Sequence, residues 1–417
     1  MDQENYNFQA LFSNETDACL IKRLNIDVAC EKALDSAVAK IKSALTPVVM
    51  TIAEKAGIQG QYRMPKFRLQ GSKVYKTQNA PAHPPKQQVD IDLGIYLAAK
   101  FLDTVSQGGG KTLQVPAKDI AKLYFNAVDQ ELRTLSRREG WKYLDGNSRK
   151  SNCCRIDLSP KGHDAHIDVP LYAMPNVEFE KLAKSFASDS AIVVEAKRSD
   201  LAPLIDEAGW DELEVVVMAT RDGTWEESDV AKVIEHFRGA SKRIGHPVML
   251  QRIWRVVKAW RDNKWPDGCA PSSILLMEAV VRIIDKGKSQ TSELLSSGRD
   301  DRILSYIFSK LADQLGDNVV VNWGNEPEKL NPGKPEERIH WISEANAASQ
   351  AFNRCFIDAN LNQSQVITLM RQVFGSRIPG DISFVKPLKK PGEIKPTLGA
   401  ALVQVSPQIR VRSTQGA

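Results

Sequence analysis

Val89-Asp90-Ile91-Asp92-Leu93-Gly94-Ile95-Tyr96-Leu97-Ala98 alternates with a period of two. On a strand, Val89, Ile91, Leu93, Ile95 and Leu97 fall on one face, and Asp90, Asp92, Gly94 and Tyr96 on the other. Carboxylates at i and i+2 of a strand point the same way and lie about 6–7 Å apart. Such a pair can hold two divalent ions about 3.5–4 Å apart, the separation used for in-line phosphoryl displacement. Asp-x-Asp alone is common, and the solvated face of an edge strand is its bland alternative.

Two neighbouring stretches narrow the choice. Ala165–Leu171 repeats the alternation, with Ile167, Val169 and Leu171 on one side and His166 and Asp168 on the other, so Asp168 offers a third carboxylate. Upstream, the short strand Lys66–Gln70 runs into Gly71-Ser72. Glycine there lets backbone N–H groups approach a phosphate closely, and the Ser72 hydroxyl can donate to a phosphate oxygen.

Outward from these strands the chain divides in two. A stripe of Leu34, Val38, Ile41, Leu45, Val48 and Ile52 predicts a long helix over about 31–56, kinked by Pro47 and ended by Gly57. A proline-rich turn, NAPAHPP, occupies 79–85; a helix is expected over 115–138, and further strands at 191–196 and 213–219. Beyond Ser228 the periodicity is helical: Ile274–Ile284 is apolar nearly all round and should be central to its own core, and more helices are expected near 300–315, 340–357 and 363–373. The fold class is α+β, with a mixed sheet and long spine helix over 1–227, a helical lobe over 228–377, and a cleft between them where ligands often sit. Residues 378–417 hold five prolines and few aromatics, and read as a flexible basic tail.

Charge and composition exclude several functions. The net charge is +5, and residues 377–417 carry seven basic against two acidic residues, so the remainder is electroneutral. A dedicated duplex binder concentrates basic charge on its folded body; no obligatory nucleic acid is expected. Cysteines at 19, 30, 153, 154, 269 and 355 form no C-x-x-C pair, and His163-x-x-His166 has no partner at zinc spacing, so free thiols are the reading and zinc is not. With no run of about 18 apolar residues and no basic-then-apolar leader, a cytosolic monomer with no membrane contact is expected.

Gly-Ser, then Asp-x-Asp, then a strand Asp is the pattern of polymerase-β-like nucleotidyltransferases. The match is closer in four blocks: Gly71-Ser72-Lys73-Val74-Tyr75-Lys76-Thr77, Val89 to Tyr96, His166-Ile167-Asp168-Val169-Pro170-Leu171-Tyr172-Ala173-Met174-Pro175, and Lys258-Ala259-Trp260-Arg261-Asp262 through Pro271-Ser272-Ser273. These resemble the bacterial cGAS/DncV-like nucleotidyltransferases (CD-NTases), and most the DncV branch, which makes 3′,3′-cyclic GMP-AMP in CBASS anti-phage defence. Val373-Phe374-Gly375-Ser376-Arg377 resembles that branch too. Seventeen residues separate Ser72 from Asp90, more than in minimal members of the superfamily, and the excess is the proline-rich turn.

The resemblance implies a template-independent cyclic dinucleotide synthase that joins ATP and GTP with release of pyrophosphate. Another cyclic di- or trinucleotide, or an RNA 3′-end nucleotidyltransferase, is the alternative. Asp90, Asp92 and Asp168 would hold two Mg2+ ions, with Mn2+ as a substitute, and Gln70, Gly71 and Ser72 would contact the triphosphate. Tyr75 resembles a nucleotide-contacting tyrosine, with ring packing as its alternative. Lys258 resembles a triphosphate lysine, and Ser273 a phosphate-binding serine, although Ser272-Ser273 also suits a helix cap. Ser228 resembles a base or ribose contact, or else caps a helix, and Arg155 matches a family arginine after a small gap. An acidic family residue expected near 340 is replaced by His340. The branch also implies a ubiquitin-transfer-like partner acting on the C-terminus at Ala417.

Overall fold

The computed structural model describes residues 4–388 apart from 17, 56–57, 59, 99–116, 146–150, 177, 179, 181–215, 229, 269, 323–326 and 332–333. The strand expected over 191–196, most of that over 213–219, Gly57 and residues 389–417 lie outside this description. In chain order, β1 (Tyr6–Asn7) and α1 (Leu20–Arg23) precede the long α2 (Val28–Lys55). Then come β2 (Lys66–Gln70), α3 (Gly71–Val74), β3 (Val89–Ala98), α4 (Ala117–Glu139), β4 (Lys142–Tyr143), β5 (Cys153–Asp157), β6 (Ala165–Met174), β7 (Val217–Ala219) and β8 (Trp225–Glu227). The helical part comprises α5 (Val230–Ile244), α6 (Pro247–Lys264), α7 (Ser273–Lys286), α8 (Lys288–Ser296) and α9 (Asp300–Gly316). It is completed by β9 (Val320–Val321), β10 (Glu328–Lys329), α10 (Pro335–Ile357), α11 (Gln363–Phe374) and β11 (Lys386–Pro387).

The main sheet has the order β2-β3-β6-β5-β4, with β7 and β8 continuing from the end of β6. It is mixed: β3 and β6 run parallel, and the other pairs are antiparallel. The alternation read from the sequence decides its layers. Ile91, Leu93, Ile95, Ile167, Val169 and Leu171 are buried in one core with residues of α2 and α4, and the opposite face is left for the polar set.

Helix α2 starts at Val28, earlier than the stripe predicts, because the Asp27 carboxylate accepts from the N–H groups of Ala29 (3.1 Å) and Cys30 (3.2 Å). It runs through Pro47 as one helix, and beyond it Val49 rather than Val48 is the fully buried residue. An 18-residue window of α2 has a mean hydropathy of 1.2, long and apolar enough by length and composition alone to cross a bilayer, as the core helix of a soluble protein also can be. Here Leu34, Val38, Ile41, Leu45, Val49 and Ile52 lie against the sheet, each such side chain contributing roughly 1.5–3 kcal/mol.

The helical lobe recruits both ends of the described chain. Phe8, Leu11, Phe12, Leu20 and Leu24, expected with the sheet, belong to the core of α5–α11. Phe12 stacks on Phe352 at 5.8 Å and meets Phe374 edge-on at 5.5 Å. Fully buried Asp301 accepts the Phe8 N–H (3.0 Å) and pairs with Arg299 (2.7 Å). Residues 378–388, expected in the tail, are packed: Ile378 and Val385 are fully buried, β11 pairs with β1, and the Leu388 N–H donates to Asn5 (2.8 Å). Proline density suggested mobility there, but Pro387 sits on a two-stranded edge where its missing donor costs little.

The proline-rich turn ties the two parts together. Asn79 donates to the Arg255 carbonyl (2.9 Å) and accepts from the Arg255 guanidinium (3.1 Å). Gln87 donates to the Asp262 carbonyl (2.8 Å), Lys86 pairs with Asp267 (2.6 Å), and the Ala80 N–H donates to Leu24 (2.8 Å). Residues 77–88 are therefore a strap from the sheet across α6.

Candidate active site

Gln70 on β2, Asp92 on β3, Asp168 on β6 and Arg155 on β5 are successive neighbours in register, one row across four strands. The next row sets Asp90 beside His166 and His166 beside Asp157. Ligand atoms of Asp90, His166 and Asp168 all lie within 4.8 Å of one another, while Asp92, in register with Asp168, is not part of that group. His166, given no partner by the sequence reading, has two carboxylates beside it; only the β3–β6 register reveals this.

The cluster carries more negative charge than its surroundings offset. Burial first, then Asp90 and Asp168, push the Asp92 carboxyl up to about 7 against the opposing pull of Arg155. The Arg155 guanidinium donates from Nε and Nη2 to the two oxygens of Asp168 (2.5 Å each). Each Asp168 oxygen keeps a second lone pair, so this pairing leaves donor capacity. Crowded, partly buried oxygen donors with one imidazole suit a divalent cation.

The phosphate-loop candidate abuts the carboxylates. Gly71 has φ +60°, and a Cβ there would stand 2.3 Å from Asp92 Oδ2, so conformation and space both demand glycine. The Gln70 side chain, expected on the triphosphate, is instead committed to two tyrosines: Nε2 donates to the Tyr96 hydroxyl (2.5 Å), and Oε1 accepts from the Tyr172 hydroxyl (3.1 Å). The two rings stack at 4.7 Å. Gly94 makes this possible, since a Cβ there would stand 2.4 Å from Gln70 Nε2. Tyr172 also shares a side-chain hydrogen bond with Ser228, which joins two predicted site residues through a third that the sequence did not single out.

Tyr75 turns its ring edge-on to Phe237 at 5.4 Å, among residues of the helical core, and burial pushes its phenol well up. The packing alternative therefore describes its ring. Lys258 is buried, and its Nζ donates to the Thr77 carbonyl (2.6 Å); burial, then Arg261, lowers its pKa to about 7. Ser272 caps α7 by accepting from the Leu275 N–H (3.1 Å), which leaves the Ser273 hydroxyl to accept from Arg261 Nη1 (2.6 Å). The Ser228 N–H donates to Val216 (2.9 Å).

All eleven predicted site residues border one cavity of about 1460 Å3 between the sheet and helices α6 and α7. Arg261 and Glu328 border it too and were not foreseen. His340 does not border the cavity and packs against Trp265 instead (5.5 Å), while Glu328 is among the carboxylates that line it.

Two family models match the chain: the nucleotidyltransferase domain of cyclic GMP-AMP synthase DncV-like proteins over residues 65–172, and the cyclic GMP-AMP synthase C-terminal domain over 248–387. A cyclic GMP-AMP synthase of Escherichia coli is 31% identical over 283 residues, 66% of this chain and 59% of that protein. The one from Vibrio cholerae is 35% identical over 237 residues, 55% of this chain and 50% of that protein. The alignments thus span about half to three fifths of these curated relatives. The crystal structure of Vibrio cholerae DncV with the linear intermediate pppA(3′,5′)pG superposes with a TM-score of 0.67 at 22% identity, covering 93% of this chain and 100% of that one. The 3′-deoxy GTP-bound form of Escherichia coli DncV gives 0.64 at 20% identity, over 91% and 99%. At such identity the likeness is one of fold, and it agrees with the expected nucleotidyltransferase sheet with a helical C-terminal lobe. With both domain models matched, together over more than half of its length, the chain belongs to the DncV-like nucleotidyltransferase family.

Proposed function

We propose that the protein joins two purine nucleoside triphosphates, ATP and GTP, into 3′,3′-cyclic GMP-AMP without a template, releasing pyrophosphate at each of two steps. The carrying observation is the in-register row of Gln70, Asp92, Asp168 and Arg155 beneath Gly71-Ser72, at the wall of a cavity of about 1460 Å3. Pockets for one small ligand run to roughly 300–1000 Å3; this one has room for two nucleotides. The Vibrio cholerae relative was crystallised with a linear dinucleotide, pppA(3′,5′)pG, the half-way product such a reaction needs.

Asp90, Asp92 and Asp168 are the residues to hold divalent cations, Mg2+ or Mn2+. Bound there, such ions make the attacking 3′-hydroxyl more acidic and offset charge on the transferring phosphoryl group. Gly71 keeps the loop backbone close to Asp92, and Ser72 offers its hydroxyl to the triphosphate. Lys258 and Arg261 place two further cationic side chains on the cavity wall, and Glu328 offers an acceptor to the Watson–Crick N–H groups of guanine. In this reading the product is a second messenger in anti-phage defence, and residues beyond 388 present the C-terminus to a conjugating partner. Purified protein incubated with labelled ATP and GTP, singly and paired, with and without RNA, tests the reaction. A nuclease-resistant mixed cyclic product independent of RNA is expected; label found only on added RNA would replace the proposal with end-labelling.

A further inference from the structure

His166 has no part in the chemistry above, yet its surroundings are built. The Asp157 carboxylate accepts at Oδ1 from the Ser159 N–H (2.8 Å) and from Gln88 Nε2 (3.1 Å). A carboxylate accepts but does not donate, so the Gln88 amide is fixed with its oxygen toward the imidazole. Gln88 Oε1 lies 3.1 Å from His166 Nδ1, and the proton of a neutral ring therefore resides on Nδ1. Nε2 is left with a bare lone pair. It is aimed into the carboxylate cluster, on a side chain only 10% exposed, and it meets no hydrogen-bond donor. What it meets is Asp90 Oδ1, at 2.9 Å.

Two acceptors that close do not attract one another; they share something positive. Ligand atoms about 2.1 Å from one metal and at right angles to each other are about 3.0 Å apart, which matches the His166–Asp90 spacing. We propose that His166 Nε2 ligates the divalent cation held by Asp90 and Asp168, and that the Asp157–Gln88 pair presents it, as outer partners orient metal-binding histidines elsewhere. The proposal rests on the metal site of the preceding reading and adds a nitrogen to it. Imidazole suits transition ions, whereas Mg2+ favours oxygen, so the chain would bind Mn2+ with a selectivity that carboxylates alone do not give.

The test is spectroscopic and needs no turnover. Mn2+ is added to the full-length protein without nucleotide, and electron spin echo envelope modulation reads 14N coupled to the bound ion. A 14N signal is expected in the unaltered protein and lost in His166→Gln. By calorimetry, His166→Gln should weaken Mn2+ at least about tenfold and Mg2+ by less than about threefold, and Gln88→Leu, which leaves the imidazole but frees its tautomer, should weaken Mn2+ by about tenfold. Bound Mn2+ with no 14N coupling, or equal losses for both ions, overturns the proposal while leaving the carboxylate site intact; an imidazolium paired with Asp90 would give that result. No bound Mn2+ at all overturns the metal site itself.

Discussion

Asp92 and Asp168 face each other in register across the parallel strands β3 and β6, and the Arg155 guanidinium donates both of its hydrogen bonds there to Asp168. The charge on Asp92 is thus the poorly compensated one. Its carboxyl is already pushed up to about 7 without a cation.

Asp92→Asn should therefore separate function from stability. Cyclic product should fall by at least about a thousandfold, because cation binding and in-line alignment both suffer. The metal-free variant should melt no lower than the parent, and about 2–4 °C higher if 1 kcal/mol of repulsion is relieved. Melting curves in EDTA beside product assays check both halves.

The pH dependence follows from two opposed shifts. Asp92 binds its proton more tightly folded than unfolded, so stability is lost as pH rises from about 4 through about 7. Lys258 holds its proton less tightly folded, down to about 7, so stability is regained as pH rises from about 7 toward the usual lysine range. Metal-free protein should show a shallow minimum in Tm near pH 7. Mg2+ with GTP should fill it, since cation and triphosphate favour the charged forms of both groups. A Tm profile that stays flat with and without these ligands would contradict this.

Gly71→Ala places a methyl group 2.3 Å from Asp92 Oδ2 at φ +60°. The backbone cost is about 1–2 kcal/mol, and the displaced carboxylate should lower kcat by at least about a hundredfold. Asp92→Gly in the same chain restores the space but not the backbone cost, so it should recover Tm only in part, and not activity.

Tyr172→Phe keeps the ring stacked on Tyr96 and removes the hydroxyl that joins Gln70 and Ser228. Losing hydrogen bonds worth about 1 kcal/mol each should raise KM for nucleotide about five- to thirtyfold. A positioning hydroxyl is expected to change kcat less; equal effects on both constants would place it at the reacting atoms instead.

The sheet was legible because alternation with period two says which side chains share a face, whereas the role given to Asp90, Asp92 and Asp168 needed the family resemblance as well. His166 shows where that ends. Its alternation was plain, but its neighbour Asp90 is set by strand register, which one strand's sequence does not contain. Gln70 and Tyr75 were placed by analogy of type, and their partners, Tyr96 with Tyr172 and Phe237, come from elsewhere in the chain. Phe8 and Phe12 lie in a segment too short to show a period, so their place among α9–α11 was invisible. The stretch 79–85 read only as a proline-rich turn, because prolines break elements, whatever the neighbouring side chains then grip.

That strap has a consequence for the product. Tied to α6 through Asn79 and Gln87, and to Asp267 just beyond it through Lys86, the strap spans the seam between the two walls of the chamber. In the proposed two-step reaction the half-made molecule would swing its free end round between walls joined by this strap, so that ring size would follow their spacing, as in a mould.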